Sequence, residues 1–219
     1  MQRRVVVGIT GASGALYARR LVECLAASGA ETHVIVSPHG RQLLRDELDL
    51  SAVEPRLLAG RHAAQVQVHG YHDLGDRLAS GSYLTDGMIV CPASANTLGE
   101  IAAGLAGNLI TRAAHVHLKE GRRLVVVPRE MPLSRIDLEN LLRISQAGGM
   151  VCPAAPGFYM RPRTLEDLAD FVVGKLLDLV GVEHALKVRW GQPLPKKARP
   201  ARKPMRAGRN RGGRGARRR

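Results

Sequence analysis

Val5-Val6-Val7-Gly8-Ile9-Thr10-Gly11-Ala12-Ser13-Gly14 is the stretch that decides how this chain is read. Its first five residues are uninterrupted by any polar side chain. A half-exposed strand would alternate, so this one is expected to be buried on both faces. A glycine-rich turn follows, then a helical pattern from about Leu16 to Ala27, with Leu21 and Leu25 among alanines and Gly29 at its end. Strand, tight turn and helix open a βαβ unit.

The same alternation runs outward along the chain. Further strands are expected at Thr32–Val36, Gln65–His69, Asp86–Pro92, Arg122–Pro128 and Met150–Cys152. Proline is expected to stop the fourth of the six strands. Helices are expected at Arg41–Leu48, Ser94–Leu105, Leu109–His117, Ile136–Gln146 and Leu165–Val180. Thr164 should cap the last, with Glu166 and Asp167 at its positive end. Residues 51–82 are read as mostly polar loop. The fold class is therefore α/β: a Rossmann-like three-layer arrangement with a central, mainly parallel sheet flanked by helices. Ligands of such sheets bind at the carboxyl ends of the strands.

Composition bounds the rest. The 219 residues carry 33 Lys+Arg against 19 Asp+Glu, a formal net charge of +14. Residues 193–219 hold 12 of those cations and no acid, leaving 21 basic and 19 acidic residues before them. The expected organisation is one domain over 1–192 and a disordered basic tail rich in Pro, Gly and Arg over 193–219. The tail reads either as a solvated extension apart from the main activity or as a weak polyanion binder. No apolar run reaches the roughly 20 residues of a membrane span, and no secretory signal peptide is read. Cys24, Cys91 and Cys152 have no CxxC spacing, which excludes a disulfide scaffold and suits a reducing, cytoplasmic setting. No metal site is expected, His115-x-His117 and His69-x-x-His72 being the nearest candidates.

Four polar clusters fall at strand ends. In the first turn, Gly8, Gly11 and Gly14 are spaced G-x-x-G-x-x-G, unlike the dinucleotide or P-loop patterns. Glycine lets the backbone approach a ligand, and the helix amino end attracts an anion, so a phosphate is the expected guest. Ser37 stands where a dinucleotide site would want an acid, so a mononucleotide such as FMN fits better than NAD. Cys91-Pro-Ala-Ser-Ala-Asn-Thr97 repeats the device with three capping residues where one would suffice. Val127-Pro-Arg-Glu-Met-Pro132 places Arg129, whose planar fork grips phosphate or carbonyl groups, beside Glu130, an acid–base candidate expected to be partly buried. Pro153-Ala-Ala-Pro-Gly-Phe-Tyr-Met-Arg-Pro162 is a shaped loop carrying Tyr159.

Taken together, TGASGA (Thr10–Ala15), CPASANTLGEIAAG (Cys91–Gly104), NLITRAA (Asn108–Ala114), VPRE (Val127–Glu130), PAAPGFY (Pro153–Tyr159) and LEDLADFVVGK (Leu165–Lys175) resemble the UbiX-type flavin prenyltransferases over roughly residues 4–191. The resemblance implies a dodecamer. It implies transfer of a dimethylallyl group from dimethylallyl phosphate to N5 and C6 of reduced FMN. The product, prenylated FMN, would serve UbiD-type decarboxylases, for example in ubiquinone synthesis, and no metal would be required. Carried over, Gly11, Ala12, Ser13, Ser37, Ser94, Ala95, Asn96, Thr97 and Arg129 would bind FMN. Tyr159 and Lys175 would bind dimethylallyl phosphate. Lys119, Arg112 and Glu47 match phosphate-site positions that neighbouring subunits could supply, and Trp190 matches an aromatic wall beside the prenyl group. Glu130, relayed through Ser13, would move protons. The Pro92–Thr97 stretch is also similar to the flavin-dependent cysteine decarboxylases, an alternative within the same fold.

Overall fold

A computed structural model describes residues 2–186. Trp190 and the basic segment 193–219 lie outside the described residues. The elements alternate as the sequence predicts: β1 (Arg4–Ile9), α1 (Ala15–Ala27), β2 (Glu31–Val36), α2 (Pro38–Leu48), α3 (Pro55–Ala59), β3 (Val66–His69), β4 (Gly87–Ala93), α4 (Ala95–Ala102), α5 (Leu109–Lys119), β5 (Arg123–Pro128), α6 (Arg135–Gln146), β6 (Met150–Val151) and α7 (Leu165–Val180). Short 3-10 turns at Gly60–Gln65 and Arg77–Ala79 punctuate the segment read as loop.

The sheet order is β3-β2-β1-β4-β5-β6, and every pairing is parallel. The chain therefore lays β2 and β3 to one side of β1, then crosses back to lay β4 on the other side. Loops leaving β1 and β4 diverge at this switch point and open a crevice at their carboxyl ends.

Two faces of β1 explain the two helical layers. Val5, Val7 and Ile9 join Leu21 and Leu25 of α1 and Val173 and Leu176 of α7 in one fully buried cluster. Val6 joins Met88 and Val90 of β4 and Leu109, Ile110 and Ala113 of α5 in the other. Gly8 points at α5: a Cβ there would stand 3.0 Å from Ile110 Cγ2, so glycine is what lets α5 lie close to the sheet. Among the described residues no helix is long and apolar enough to cross a membrane.

Most helices begin on a side chain that satisfies their unpaired N–H groups. Ser37, Ser94 and Asn108 cap α2, α4 and α5, while Ser134–Asp137 and Thr164–Asp167 form capping boxes on α6 and α7. By contrast α1 starts on Gly14, at φ 123°, with no side-chain cap of its own residue.

Two expectations are corrected. Pro92 does not stop β4, which continues to Ala93 through a cis Cys91-Pro92 peptide. The ladder to β5 shifts register between Val90 and Ala93, and such an irregularity is where a strand tolerates proline. Second, α2 starts at Pro38 rather than Arg41, because Ser37 caps it and proline is well placed in a first turn.

Candidate active site

The crevice between β1 and β4 is closed by one buried hydroxyl. Thr10, 1% exposed, donates from Oγ1 to the Pro92 carbonyl at 2.9 Å and accepts from the Ser94 N–H at 2.8 Å. Its own N–H also reaches the Pro92 carbonyl at 3.2 Å. The two glycine- and hydroxyl-rich loops are thus a single polar floor.

The loop after β1 is fixed from three further directions. Gly11 packs on α2, where a Cβ would stand 2.6 Å from His39 Cβ. Gly14 packs on Tyr17, and its positive φ and the 2.9 Å separation a Cβ would have from Tyr17 Cδ2 both demand glycine. Arg129 swings across from β5 and donates Nε to the Ser13 carbonyl at 2.9 Å. Burial and neighbouring Cys91 raise the Tyr17 hydroxyl above its ordinary range, with Arg129 opposing.

At the amino end of α1 the expected phosphate meets a competitor. The Glu47 carboxylate accepts from the Gly14 N–H at 3.0 Å and from the Ala15 N–H at 2.8 Å. The positive helix end that glycine left without a cap is therefore satisfied by an anion from α2. This Glu47 belongs to the same chain as the helix end it meets.

At β4, Ser94 caps α4, its Oγ accepting from Thr97 N–H at 3.4 Å and lying 3.1 Å from Thr97 Oγ1. Ala95 opens the helix. Asn96 turns its amide along α4 to Glu100 at 2.7 Å, so its side chain is committed to the helix surface. Ser37 is buried with its Oγ accepting from Gly40 N–H at 3.0 Å, so the hydroxyl proton is the part it can offer a ligand. At β5, Glu130 is exposed, correcting the partly buried carboxylate read from sequence. Its Oε1 accepts from Met131 N–H at 3.2 Å. Among the described residues no hydrogen bond joins Glu130 to the Ser13 hydroxyl, so the relay expected between them is not formed here.

Tyr159 packs on α7 at Phe171. The Tyr159 ring stands edge-on to Phe171 at 5.7 Å, and Lys175 lies one helical turn along α7 from Phe171 on the same face. Lys175 also faces Cys152 beyond β6, whose thiol is raised by burial and partly lowered by that cation. Arg112 is engaged elsewhere, donating Nε to Ala79 O at 3.0 Å. Lys119 ends α5 beside the amino end of β5 and pairs with Glu120 at 2.8 Å. One chain does not bring Lys119 to the strand carboxyl ends.

The donor set fits a phosphorylated, flat, hydrogen-bonding group. It combines hydroxyls at Ser13, Ser37, Ser94 and Thr97, a guanidinium at Arg129 and close backbone approach at Gly11–Ala12. Among the described residues no group of three His, Cys, Asp or Glu could hold a metal ion. Sequence reading gave no role to Thr10, though it opens the TGASGA motif, and missed Tyr17 and His39, which support the floor from outside every motif quoted.

A Rossmann-ordered sheet with this crevice defines a nucleotide-binding protein, and comparison narrows the class to the flavoproteins: the family model described as Flavoprotein matches residues 1–177. The flavin prenyltransferase UbiX of Halalkalibacterium halodurans is 47% identical over 190 residues, covering 85% of this chain and 92% of that protein. That of Thermoplasma acidophilum is 46% identical over 189 residues, covering 85% and 99%. The crystal structure of AnUbiX (PadA1) in complex with FMN and dimethylallyl pyrophosphate is 40% identical, covers 84% of this chain and 94% of its own, and superposes with a TM-score of 0.78. A dodecameric FMN-dependent UbiX-like decarboxylase from Escherichia coli O157:H7 is 43% identical, with coverages of 87% and 100% and a TM-score of 0.78. The chain belongs to the UbiX-type flavin prenyltransferases and is a transferase. A PPC decarboxylase, 22% identical at a TM-score of 0.56 over 71% of this chain and 84% of its own, shares the fold alone.

Proposed function

We propose that this crevice joins a dimethylallyl group, delivered as its phosphate ester, to N5 and C6 of reduced FMN. The observation that carries the reading is the single polar floor that Thr10 makes of the two loops at the β1/β4 switch point. Reduced FMN supplies the two nucleophilic atoms when bound. Gly11, Ala12 and Ser13 lie along one edge of the floor, Ser94, Ala95, Asn96 and Thr97 along the other, and Ser37 and Arg129 close it. The Arg129 guanidinium ties the loop at Ser13 through Nε, and its remaining nitrogens would hold a phosphate or carbonyl oxygen.

Loss of phosphate from an allyl group leaves negative charge on the departing oxygens, which placed cations stabilise. Lys175, which faces Cys152 just beyond β6, and the Tyr159 hydroxyl would do so. Arg112 and Lys119 complete the phosphate site from a neighbouring copy. The allyl carbon develops positive charge, for which Trp190, outside the described residues, would be an aromatic wall. With reduced FMN bound, Glu130, exposed at the crevice mouth, would take the proton from C6 as the alkene carbon beside the new bond gains one.

Five apolar side chains of one region, Met131, Leu133, Ile136, Leu138 and Leu142, are exposed on and before α6. Such a patch suits burial against further copies, and we assign the chain a homo-oligomer of the dodecameric kind. The recipient of the product is a UbiD-type decarboxylase. Three free thiols suit the reducing cytoplasm. The segment 193–219 adds a weak polyanion contact, strengthened by multivalency in the assembly. Its deletion is expected to abolish retention on anionic resin at low salt and to leave prenylation intact.

Anaerobic incubation with reduced FMN and dimethylallyl phosphate, with the pyrophosphate in parallel, tests the main reading. Mass spectrometry should find flavin heavier by one C5 unit. Decarboxylation of a cysteine-ended peptide with unaltered flavin would replace the reading with the cysteine decarboxylase alternative.

A further inference from the structure

The end of α5 meets the strap that joins β3 to β4 across residues 70–86 in a charged cluster that the crevice does not explain. Glu120 is the C-cap of α5, and Gly121 follows at φ 63°. The Gly121 N–H donates to Leu118 O at 3.1 Å and the Arg122 N–H to His117 O at 2.8 Å, the paired bonds of a Schellman turn. That turn folds Arg122 back beside Glu120. The Arg122 guanidinium, mostly buried, donates to Tyr83 O at 2.9 Å and to Gly81 O on the strap, and lies 3.9 Å from Glu120 Oε2. The other carboxylate oxygen, Oε1, accepts from Lys119 Nζ at 2.8 Å.

Gly81 makes room for this carboxylate. A Cβ on Gly81 would overlap it, standing 2.8 Å from Glu120 Cδ. Gly81 does not take a positive φ, so the carboxylate and not the backbone is what calls for glycine here. An exposed Lys–Glu pair alone contributes little. This one is held from two further sides, by Arg122 and by the strap. The Lys119 hydrogen bond and charge keep the Glu120 carboxyl below its ordinary range. Two cations share one carboxylate, so the cluster stays positive and the pairing does not cancel Lys119.

We propose that Glu120, seated in the recess at Gly81, is a positioning residue for Lys119 and fixes its ammonium as the donor this chain offers to the phosphate site of another copy. This rests on the role proposed for Lys119 above. Lysine carries its charge on a flexible four-carbon stem, and ordering that stem on binding costs affinity. Glu120 orders it before the phosphate arrives. It uses one of the three ammonium N–H groups and leaves the others for phosphate oxygens.

The strap steers the second cation of α5 as well. Arg112 stands two helical turns before Lys119 and so on the same face of α5. Its Nε donates to Ala79 O at 3.0 Å, and its Nη groups are the part it can offer an oxyanion. One short segment, residues 79–83, thus orients both cations: Arg112 through a carbonyl, and Lys119 through the carboxylate that Gly81 admits.

Gly81→Ala tests the proposal without altering any charge, since its methyl group expels the Glu120 carboxylate from the recess; Glu120→Ala removes that carboxylate outright. Calorimetric titration of dimethylallyl phosphate into the assembled full chain with oxidised FMN reads binding apart from turnover. Each variant should weaken binding about threefold to tenfold, the scale of ordering one long side chain. The double variant should lose no more than Glu120→Ala alone, because both changes act on one carboxylate. In turnover, KM for dimethylallyl phosphate should rise by the same factor while KM for FMN stays at the parent value. Parent-like or tighter binding in either single variant overturns the proposal, as do losses that multiply in the double variant. Lys119→Ala separates this proposal from the reading beneath it. Parent-like binding in Lys119→Ala overturns the role of Lys119 and the positioning with it. Weakened binding there, beside parent-like Gly81→Ala and Glu120→Ala, overturns the positioning alone.

Discussion

Thr10 and Pro92 join the ends of β1 and β4: one threonine directs both its N–H and its hydroxyl to the same proline carbonyl, at 3.2 and 2.9 Å. Thr10→Val keeps the shape and the N–H but removes the hydroxyl, leaving the Ser94 N–H without its acceptor. A cost of about 1–3 kcal/mol is expected from urea unfolding. FMN affinity should fall roughly tenfold in a fluorescence titration, since about 1.4 kcal/mol of disorder in the floor is a factor of ten. Thr10→Ser should recover most of both. Wild-type FMN affinity in Thr10→Val would show that the two loops do not need each other.

Glu47 supplies α1 with the anion its own first residue cannot. Glu47→Ala should lower Tm by about 1–4 °C, the scale of a lost helix cap in a chain of this size. The freed Gly14 and Ala15 N–H groups should then accept another anion. Inorganic phosphate is expected to raise the Tm of Glu47→Ala more than that of the parent, as scanning calorimetry would read. Equal shifts in both proteins would place the helix end outside ligand reach.

Glu130→Gln removes the proposed proton acceptor and leaves the shape of the crevice mouth. Turnover should drop about 10²–10⁴-fold, the range for a lost general base, while FMN binding is unchanged. Single-turnover mass spectrometry of the flavin checks this. Unaltered turnover would remove Glu130 from the mechanism.

Acid should loosen the fold through two buried histidines. Burial lowers both His33 and His117 from the ordinary value of 6.5. Such a histidine binds its proton more readily once unfolded, so its stability is fully present above about pH 6.5 and is lost as pH falls towards the folded value, about 4 for His33. Unfolding free energy from urea titrations should fall by about 1–3 kcal/mol between pH 7 and pH 4.5. A stability that rises over that interval would show the buried imidazoles to be charged in the native state.

The strands and helices that build the site were legible because burial on two faces leaves an unbroken apolar run, as in Val5–Ile9, and because cap residues such as Ser94 and Thr164 mark helix starts. The site loops were legible as strand-end clusters. What escaped has a common cause: contacts between residues far apart in the chain leave no local pattern. Thr10 reads as a turn residue until Pro92, 82 positions later, is beside it. Glu47 is singled out by resemblance alone, and its place at the Gly14 N–H appears only once α2 delivers it there. Local rules also mislead where tertiary pairing overrides them, and Pro92 remains in β4 because the ladder to β5 slips there. The segment 51–82 hid α3 because five residues are too few to show a helical period.

The place of Lys119 has one more consequence. It stands at the amino end of β5, a six-residue strand, and so about 20 Å from the end that carries Glu130. A reaction centre that uses both residues is shared property: each chain gives Glu130 to one centre and Lys119 to another. Two inactive preparations, Lys119→Ala and Glu130→Gln, should therefore complement when dissociated and reassembled together. About a quarter of the centres in a random equimolar mixture would draw both residues from unaltered positions.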